Sequence, residues 1–152
     1  MDNITNITVN GLIITPLKRV VAPGGDVLHA IKASDKGFIG FGEAYFSKIK
    51  FGSIKGWKRH TQMTMNLVVP IGEVRFIIYD DRDKSNNVGI FQQVMLDSKD
   101  NYNRLTIPPM VWLGFQGINE PSSTILNIAS IEHSIQEIDK KELSEIKFNW
   151  NK

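Results

Sequence analysis

The 152-residue chain contains no cysteine. This absence excludes disulfide bonds, thiolate zinc sites and a cysteine nucleophile. Strong net charge is also absent, because 18 basic residues nearly balance 16 acidic ones and leave a formal charge of +2. The balance therefore predicts neither nucleic acid nor an anionic membrane as a partner.

Long apolar runs are missing as well. The first ten residues, MDNITNITVN, have neither a basic region nor an apolar core of a leader, and no later stretch approaches a membrane span. We therefore expect a soluble, cytoplasmic protein that does not bind a membrane. Its length and its 41% hydrophobic content fit one domain over residues 1–152, large enough to contain a pocket.

Histidine is scarce, since the chain has only His29, His60 and His133, far apart in sequence. Metal oxygenases need several imidazoles at close spacing, so we expect no metal site. Phosphate loops, dinucleotide fingerprints and nucleophile elbows are absent too.

Short runs rich in β-branched and aromatic residues fill most of the chain, and turn residues separate them. The turns are predicted at 23–25, 70–72, 83–87 and 97–101. This spacing is typical of an all-β sandwich or jelly roll. The predicted strands cover 7–14, 27–33, 42–50, 53–70, 73–79, 89–96, 102–107, 112–117 and 123–133. Residues 135–146 carry alternating charges around Ile138 and Leu143, which predicts a short covering C-terminal helix.

The predicted strand 53–70 has one polar face over five alternate positions. The opposite parity becomes apolar from Met63 onward. Such a face can line a ligand site inside a barrel, or it can be the solvent-exposed face of a half-buried strand. The polar residues are Lys58, His60, Gln62, Thr64 and Asn66.

Several motifs in consistent order resemble the dTDP-4-dehydrorhamnose 3,5-epimerase family. They are GEAYFSKI at 42–49, IKGWKRH at 54–60, MTMNLVVPIG at 63–72, YDDR at 79–82 and YNRLTIPPMVWLGF at 102–115. The resemblance continues through Leu126-Asn127 and Glu132-His133. The chain is similar in particular to a short, divergent branch of this family found among polysaccharide-biosynthesis genes.

The resemblance implies a cupin-type jelly-roll β-barrel that forms a homodimer and uses no metal and no redox cofactor. It implies that a base removes a hydrogen beside the ketone of a nucleotide-linked 4-keto-6-deoxy sugar, and that an acid returns a proton to the other face. The expected context is surface polysaccharide synthesis, such as capsule, O-antigen or spore coat.

Position by position, the match departs from the family at its catalytic groups. The family's base His falls on Lys58, and the preceding Arg falls on Lys55. A lysine can act as a base when burial disfavours its charged form, whereas an exposed lysine cannot. His60, two residues on, is an imidazole ready for proton transfer near neutral pH, so we favour His60 over Lys58.

The remaining family positions differ too. The family's Lys falls on Asn66, a second His falls on Leu113, and its Tyr acid has no counterpart in the region from Asn127 to His133. Tyr45, Tyr79 and Tyr102 are the alternative acids, and each can equally be an ordinary strand aromatic. We predict His60, Lys58 and Tyr102 as catalytic residues. The predicted substrate-binding residues are Lys55, Gln62, Asn66, Asp80, Arg82, Trp112 and Tyr45, with a structural salt bridge as the alternative role for Asp80 and Arg82.

Two functions remain open at this point. The first is an epimerase or ketoisomerase, favoured by the ordered motifs and by the polar face around His60. The second is a sugar-binding or assembly protein derived from an epimerase, favoured by the missing catalytic positions. A partner subunit that supplies the missing groups is a variant of the second.

Overall fold

The computed structural model describes residues 6–83 and 89–152. Twelve strands occur in these ranges. They are β1 Ile13–Pro16, β2 Arg19–Val20, β3 Val27–Leu28, β4 Glu43–Lys50, β5 Ile54–His60, β6 Met65–Ile71, β7 Glu73–Asp80, β8 Ile90–Asp97, β9 Asn103–Ile107, β10 Trp112–Gly117, β11 Ser122–Ala129 and β12 Ile138–Lys140.

The strands form two five-stranded antiparallel sheets, and β2 and β3 pair separately. The first sheet has the order β1-β9-β6-β11-β4, and the second has the order β12-β5-β10-β7-β8. From β4 to β11 the chain alternates between the sheets, except that β7 and β8 are neighbours in one of them. This connectivity is a jelly roll, so the predicted all-β fold is confirmed.

An apolar core lies between the two sheets. Residues of alternate parity point into it, including Leu67 and Val69 on β6, Phe76 and Ile78 on β7, and Leu105 on β9. Each large apolar side chain contributes about 1.5–3 kcal/mol when it is fully buried. The core fixes the register of the strands, because a slip by one residue would turn these side chains to the other face.

A second apolar cluster covers the outer face of the β5-β10-β7 region. Trp57, Ile77 and Trp112 are buried there beneath the C-terminal residues, including Ile146 and Trp150. Both faces of β7 are therefore covered, which explains its uninterrupted apolar run at 76–78.

The prediction of a C-terminal helix over 135–146 is wrong. The segment forms two single 3₁₀ turns, Ile135–Glu137 and Leu143–Glu145, with β12 between them. The edge of β5 offers unpaired backbone groups, and β12 pairs with it through Ile138 opposite His60 and Lys140 opposite Lys58. Pairing with this edge satisfies more backbone groups than one isolated helical turn.

The predicted single strand over 53–70 is wrong as well, because the structure divides it into β5 and β6 in different sheets. Residues 61–64 form the corner between them. The corner breaks the alternation: Lys58 and His60 line the interior before it, whereas Met65 and Leu67 do so after it. Asn66 consequently points away from the interior, and the polar face predicted over 58–66 is not continuous.

Other boundaries also differ from the prediction. The first predicted strand, 7–14, is reduced to β1, and the predicted strand 27–33 is reduced to β3. The predicted turn at 70–72 is present, with Gly72 at a φ of 87°, and most of the turn predicted at 83–87 falls outside the described residues. Within the described ranges, no helix has the length and hydrophobicity needed to cross a membrane.

Candidate functional site

A cavity of about 480 Å³ opens between the two sheets, at the side where β4 and β5 face each other. Its floor is apolar, formed by Met65, Leu67, Phe76, Leu113, Phe115 and Ile125. The polar residues of its walls and mouth are Tyr45, Ser47, Lys55, Lys58, His60, Asn127, His133, Lys140, Lys141, Glu142 and Glu145. An apolar pocket with a few converging polar groups is the usual form of a small-molecule site.

His60, the last residue of β5, is the buried imidazole of this cavity, with 7% of its surface exposed. Its Nδ1 lies 2.6 Å from Oε1 of Glu137, which is 3% exposed. A carboxylate oxygen can only accept here, so Nδ1 carries the hydrogen and donates it. The pairing fixes the ring and the tautomer, and it leaves Nε2 as the proton-accepting atom.

Glu137 reaches this position because the C-terminal segment returns along the edge of β5. The backbone N–H of Thr61 donates to the Glu137 carbonyl at 2.8 Å, directly after the last residue of β5. The second carboxylate oxygen of Glu137, Oε2, is buried and has no hydrogen-bond partner among the described residues. Glu137 is not part of the cavity lining, so it acts on the cavity only through His60.

The opposite wall of the cavity belongs to the first sheet. Tyr45 on β4 and Asn127 on β11 are cross-strand partners, and Asn127 Nδ2 donates to Tyr45 Oη at 2.9 Å. The Tyr45 residue is 42% exposed, whereas Asn127 is only 4% exposed. The Asn127 Oδ1 is buried without a partner in the described part of the chain. The cavity therefore has His60 on one wall and the Tyr45–Asn127 pair on the other.

Basic side chains surround the mouth of the cavity. Lys55, Lys58 and Lys140 line it, so the predicted binding residue Lys55 lies at the site. Lys58, however, is exposed. The burial that a lysine base requires is absent, so its place at the mouth suits contact with an anion better than proton transfer.

Asn66 and Tyr102, two predicted site residues, lie outside the cavity lining. Asn66 is on the outer face of the first sheet, where it bonds to the Gly37 carbonyl, Arg104 and Thr106. Tyr102 donates its hydroxyl to the His29 carbonyl at 2.7 Å, and burial raises the pKa of Tyr102. Both side chains hold loops against the sheet.

Asp80 and Arg82 also lie away from the cavity lining and form a local ion pair at 2.8 Å. The hydrogen bond from Arg82 lowers the pKa of Asp80 in spite of partial burial. Arg82 also donates to the Asn10 carbonyl, so the pair attaches the N-terminal segment to the end of β7. This geometry suits the structural alternative considered for the pair.

Gln62 and Trp112 are likewise absent from the cavity wall. Gln62 is exposed at the corner between the sheets. Trp112 is buried on the outer face, where its ring lies 4.6 Å from the Arg59 guanidinium and its N–H donates to Asp81. Trp112 belongs to the cover of the second sheet.

The sequence prediction missed the role of Glu137, which it assigned to the charged surface of a helix. It named Asn127 as part of the family resemblance and as the start of the region that lacks the family tyrosine, but not as a site residue. No group of three or more His, Cys, Asp or Glu side chains suited to a metal ion occurs in residues 6–83 and 89–152.

Comparisons with known proteins agree with this architecture, although no family model matches the chain. The structure of a dTDP sugar isomerase from Desulfovibrio desulfuricans G20 has a TM-score of 0.88 and 37% identity, over 93% of this chain and 92% of that one. Spore coat polysaccharide biosynthesis protein SpsL of Bacillus subtilis (strain 168) is 30% identical over 115 residues, 73% of this chain and 76% of that protein.

A dTDP-4-dehydrorhamnose 3,5-epimerase from Sulfolobus tokodaii is more distant. It has 20% identity and a TM-score of 0.81, over 97% of this chain and 86% of that one. At this identity, the likeness concerns the fold alone.

Proposed function

We propose that this chain, which belongs to the dTDP-4-dehydrorhamnose 3,5-epimerase family of cupin-type deoxysugar isomerases, inverts a carbon beside the ketone of a nucleotide-linked 4-keto-6-deoxy sugar. The observation that carries the proposal is His60 in the wall of the cavity, held by a buried hydrogen bond to Glu137, which itself lies outside the cavity lining. A buried imidazole with a carboxylate on one nitrogen is suited to take a proton with the other.

The first chemical step uses the acidity that the ketone gives to its neighbouring hydrogen. His60 Nε2 takes the proton, the carbon–hydrogen bond breaks, and its electrons move to the ketone oxygen to give an enolate. The imidazolium that results is stabilised by the Glu137 carboxylate at 2.6 Å. Return of a proton to the opposite face of the carbon completes the inversion.

The shape of the cavity supports a sugar substrate. Its volume of about 480 Å³ lies within the range of roughly 300–1,000 Å³ common for small-molecule sites. The apolar floor around Phe76 and Leu113 suits the methyl group of a 6-deoxy sugar. Lys55, Lys58 and Lys140 at the mouth suit the diphosphate that links sugar and nucleoside.

The proposed pathway is the synthesis of a surface polysaccharide. The B. subtilis relative is described as a spore coat polysaccharide biosynthesis protein, which supports a similar context for this chain. A nucleotide-linked substrate favours a cytoplasmic location.

We also propose that the chain forms a homodimer. Strand β4 is the outer strand of the first sheet as described, and Phe41 and Phe46 on or beside it are 66% and 68% exposed. An outer strand with exposed aromatic side chains is a surface that a second copy can cover.

The alternative function is a sugar-binding or assembly protein without catalysis. Its support is the set of departures from the family at Lys58, Asn66 and Leu113. The His60–Glu137 pair weighs against it, because a buried carboxylate with an unpartnered oxygen costs stability, and a catalytic role explains why such a group is kept.

The test is solvent exchange. The purified protein is incubated in deuterated buffer with dTDP-, GDP- and UDP-linked 4-keto-6-deoxy sugars, and NMR and mass spectrometry follow deuterium at the carbons flanking the ketone. Uptake with one carrier supports the enzyme and identifies its nucleotide. Calorimetric binding without any uptake would establish the alternative function instead.

A further inference from the structure

We propose that Tyr45 is the acid that protonates the enolate from the face opposite to His60. This inference rests on the proposed epimerase function. The position of the family's tyrosine acid falls in the region that starts at Asn127, and this chain has no tyrosine there. The structure offers a replacement one strand away, on the wall that faces His60.

The two walls of the cavity give the required stereochemistry. His60 ends β5 in the second sheet, whereas Tyr45 lies on β4 in the first sheet, and both line the same cavity. A sugar ring held between the sheets therefore presents one face to each residue. Inversion needs a proton removed from one face and a proton delivered to the other.

Tyr45 differs in position from the chain's two other tyrosines. Tyr102 donates its hydroxyl to the His29 carbonyl, and Tyr79 packs against Phe91 with ring centroids 4.6 Å apart. Neither lines the cavity, whereas Tyr45 does. Tyr45 thus presents the phenolic hydroxyl of the site.

Asn127 prepares this hydroxyl for donation. Its Nδ2 donates to the Tyr45 oxygen at 2.9 Å, so the Tyr45 oxygen acts as acceptor and its own hydrogen is left for another partner. The same N–H stabilises the negative charge that donation leaves on the phenolic oxygen. The other polar atom of this amide, Asn127 Oδ1, is buried without a partner in the described residues.

The step balances as follows. The Tyr45 O–H bond breaks, its proton forms the new carbon–hydrogen bond with the enolate electrons, and the ketone is restored. The protein is left with His60 protonated and Tyr45 ionised. Proton exchange of both groups with water at the cavity mouth returns the protein to its starting state.

The test compares Tyr45→Phe with Tyr102→Phe in deuterated buffer, with dTDP-4-keto-6-deoxyglucose as the substrate. Because His60 still abstracts the proton, Tyr45→Phe should keep deuterium uptake beside the ketone and form the inverted sugar at least about 100-fold more slowly. Tyr102→Phe should invert at the wild-type rate. NMR coupling constants report the configuration, and thermal unfolding verifies that each variant is folded.

Asn127→Leu provides a second variant with its own readout. If Asn127 positions Tyr45, the ratio of inverted sugar to sugar that has only exchanged its hydrogen should fall in this variant. A purely structural role of Asn127 would leave this ratio unchanged. His133→Asn tests the second imidazole that lines the cavity. If His133→Asn loses inversion while Tyr45→Phe inverts the sugar at the wild-type rate, the assignment of Tyr45 as the acid is wrong.

The two proposals fail in different ways. A wild-type protein that neither exchanges nor inverts any of the sugars contradicts the proposed function, and the role of Tyr45 fails with it. A wild-type protein that inverts the sugar while Tyr45→Phe does so equally fast contradicts the role of Tyr45 alone.

Discussion

Two buried polar clusters lie on opposite faces of the same jelly roll and are completed to different degrees. On the outer face of the first sheet, Arg104 is fully buried and donates to five groups, namely Asn66 Oδ1, the Ala30 carbonyl, Asp35 Oδ2, Thr15 Oγ1 and the Lys36 carbonyl. Around the cavity, by contrast, Glu137 Oε2 and Asn127 Oδ1 have no partner among the described residues.

This difference separates a structural role from a chemical one. A buried polar group without a partner costs about 1–3 kcal/mol, so a cluster whose purpose is stability should be saturated. In the described residues only three buried side-chain atoms lack a partner, and two of them line or support the cavity; the third, Trp150 Nε1, lies in the outer aromatic cluster. The outer cluster is thus saturated by hydrogen bonds, whereas the polar groups at the cavity are not.

The largest expected effect is a loss of stability caused by a substitution in the outer cluster. Arg104→Met removes the donor of five hydrogen bonds, and each such bond contributes about 0.5–1.5 kcal/mol to stability. Chemical unfolding should show this loss. The rate of deuterium uptake per folded molecule should stay at the wild-type value, and a loss of rate without a loss of stability would contradict a structural role for this cluster.

Glu137→Gln tests the inner cluster by a change of charge without a change of size. The amide no longer compensates the imidazolium and does not impose the same tautomer on His60, so the exchange rate should fall by at least about 10-fold. The loss is measured as the initial rate of deuterium uptake.

The matched control for Glu137→Gln is Glu132→Gln, a change at an exposed carboxylate five positions earlier. It should leave the rate unchanged. Equal rates for Glu137→Gln and the wild type would show that the pair is only structural.

The smallest expected effect concerns pH. The Lys32 backbone N–H holds the pKa of Asp35 below its usual 3.8, desolvation opposes this shift, and Arg104 reinforces it. Because the folded pKa is depressed, the contribution of Asp35 to stability is present above that pH and is lost as the pH falls through the lower, folded value.

Asp35→Asn should therefore flatten the loss of unfolding free energy on acidification below about pH 4. The measurement is chemical unfolding over a series of acidic pH values. Asp100→Asn, at an exposed position, serves as the control and should leave the slope unchanged. An unchanged slope in Asp35→Asn would remove this carboxylate from the outer network.

The sequence predicted the fold well because alternating apolar residues and turn signals are local patterns. It also predicted Tyr45, Lys55, Lys58 and His60, which line the cavity. It failed at the corner 61–64, because strand parity continues in a sequence pattern even where the chain changes sheet. Asn66 was therefore predicted at the site, whereas it bonds to Arg104 on the outer face.

Glu137 was missed for a different physical reason. Its partner His60 is 77 positions away in the sequence, and the contact depends on the pairing of β12 with the edge of β5. No short-range pattern records such a pairing. The charged residues around Glu137 predict an exposed helix, and only the tertiary structure shows that this carboxylate is buried.

The central claim is that the His60–Glu137 pair removes a proton from the substrate, and deuterium uptake in His60→Gln tests it most directly. The experiment compares wild type, His60→Gln and the control His29→Gln, which changes an exposed side chain outside the cavity lining. Calorimetry with dTDP verifies that each protein still binds the carrier. Uptake beside the ketone should fall by about 10²–10⁴-fold in His60→Gln alone, with binding retained. Uptake at the wild-type rate in His60→Gln would contradict the account.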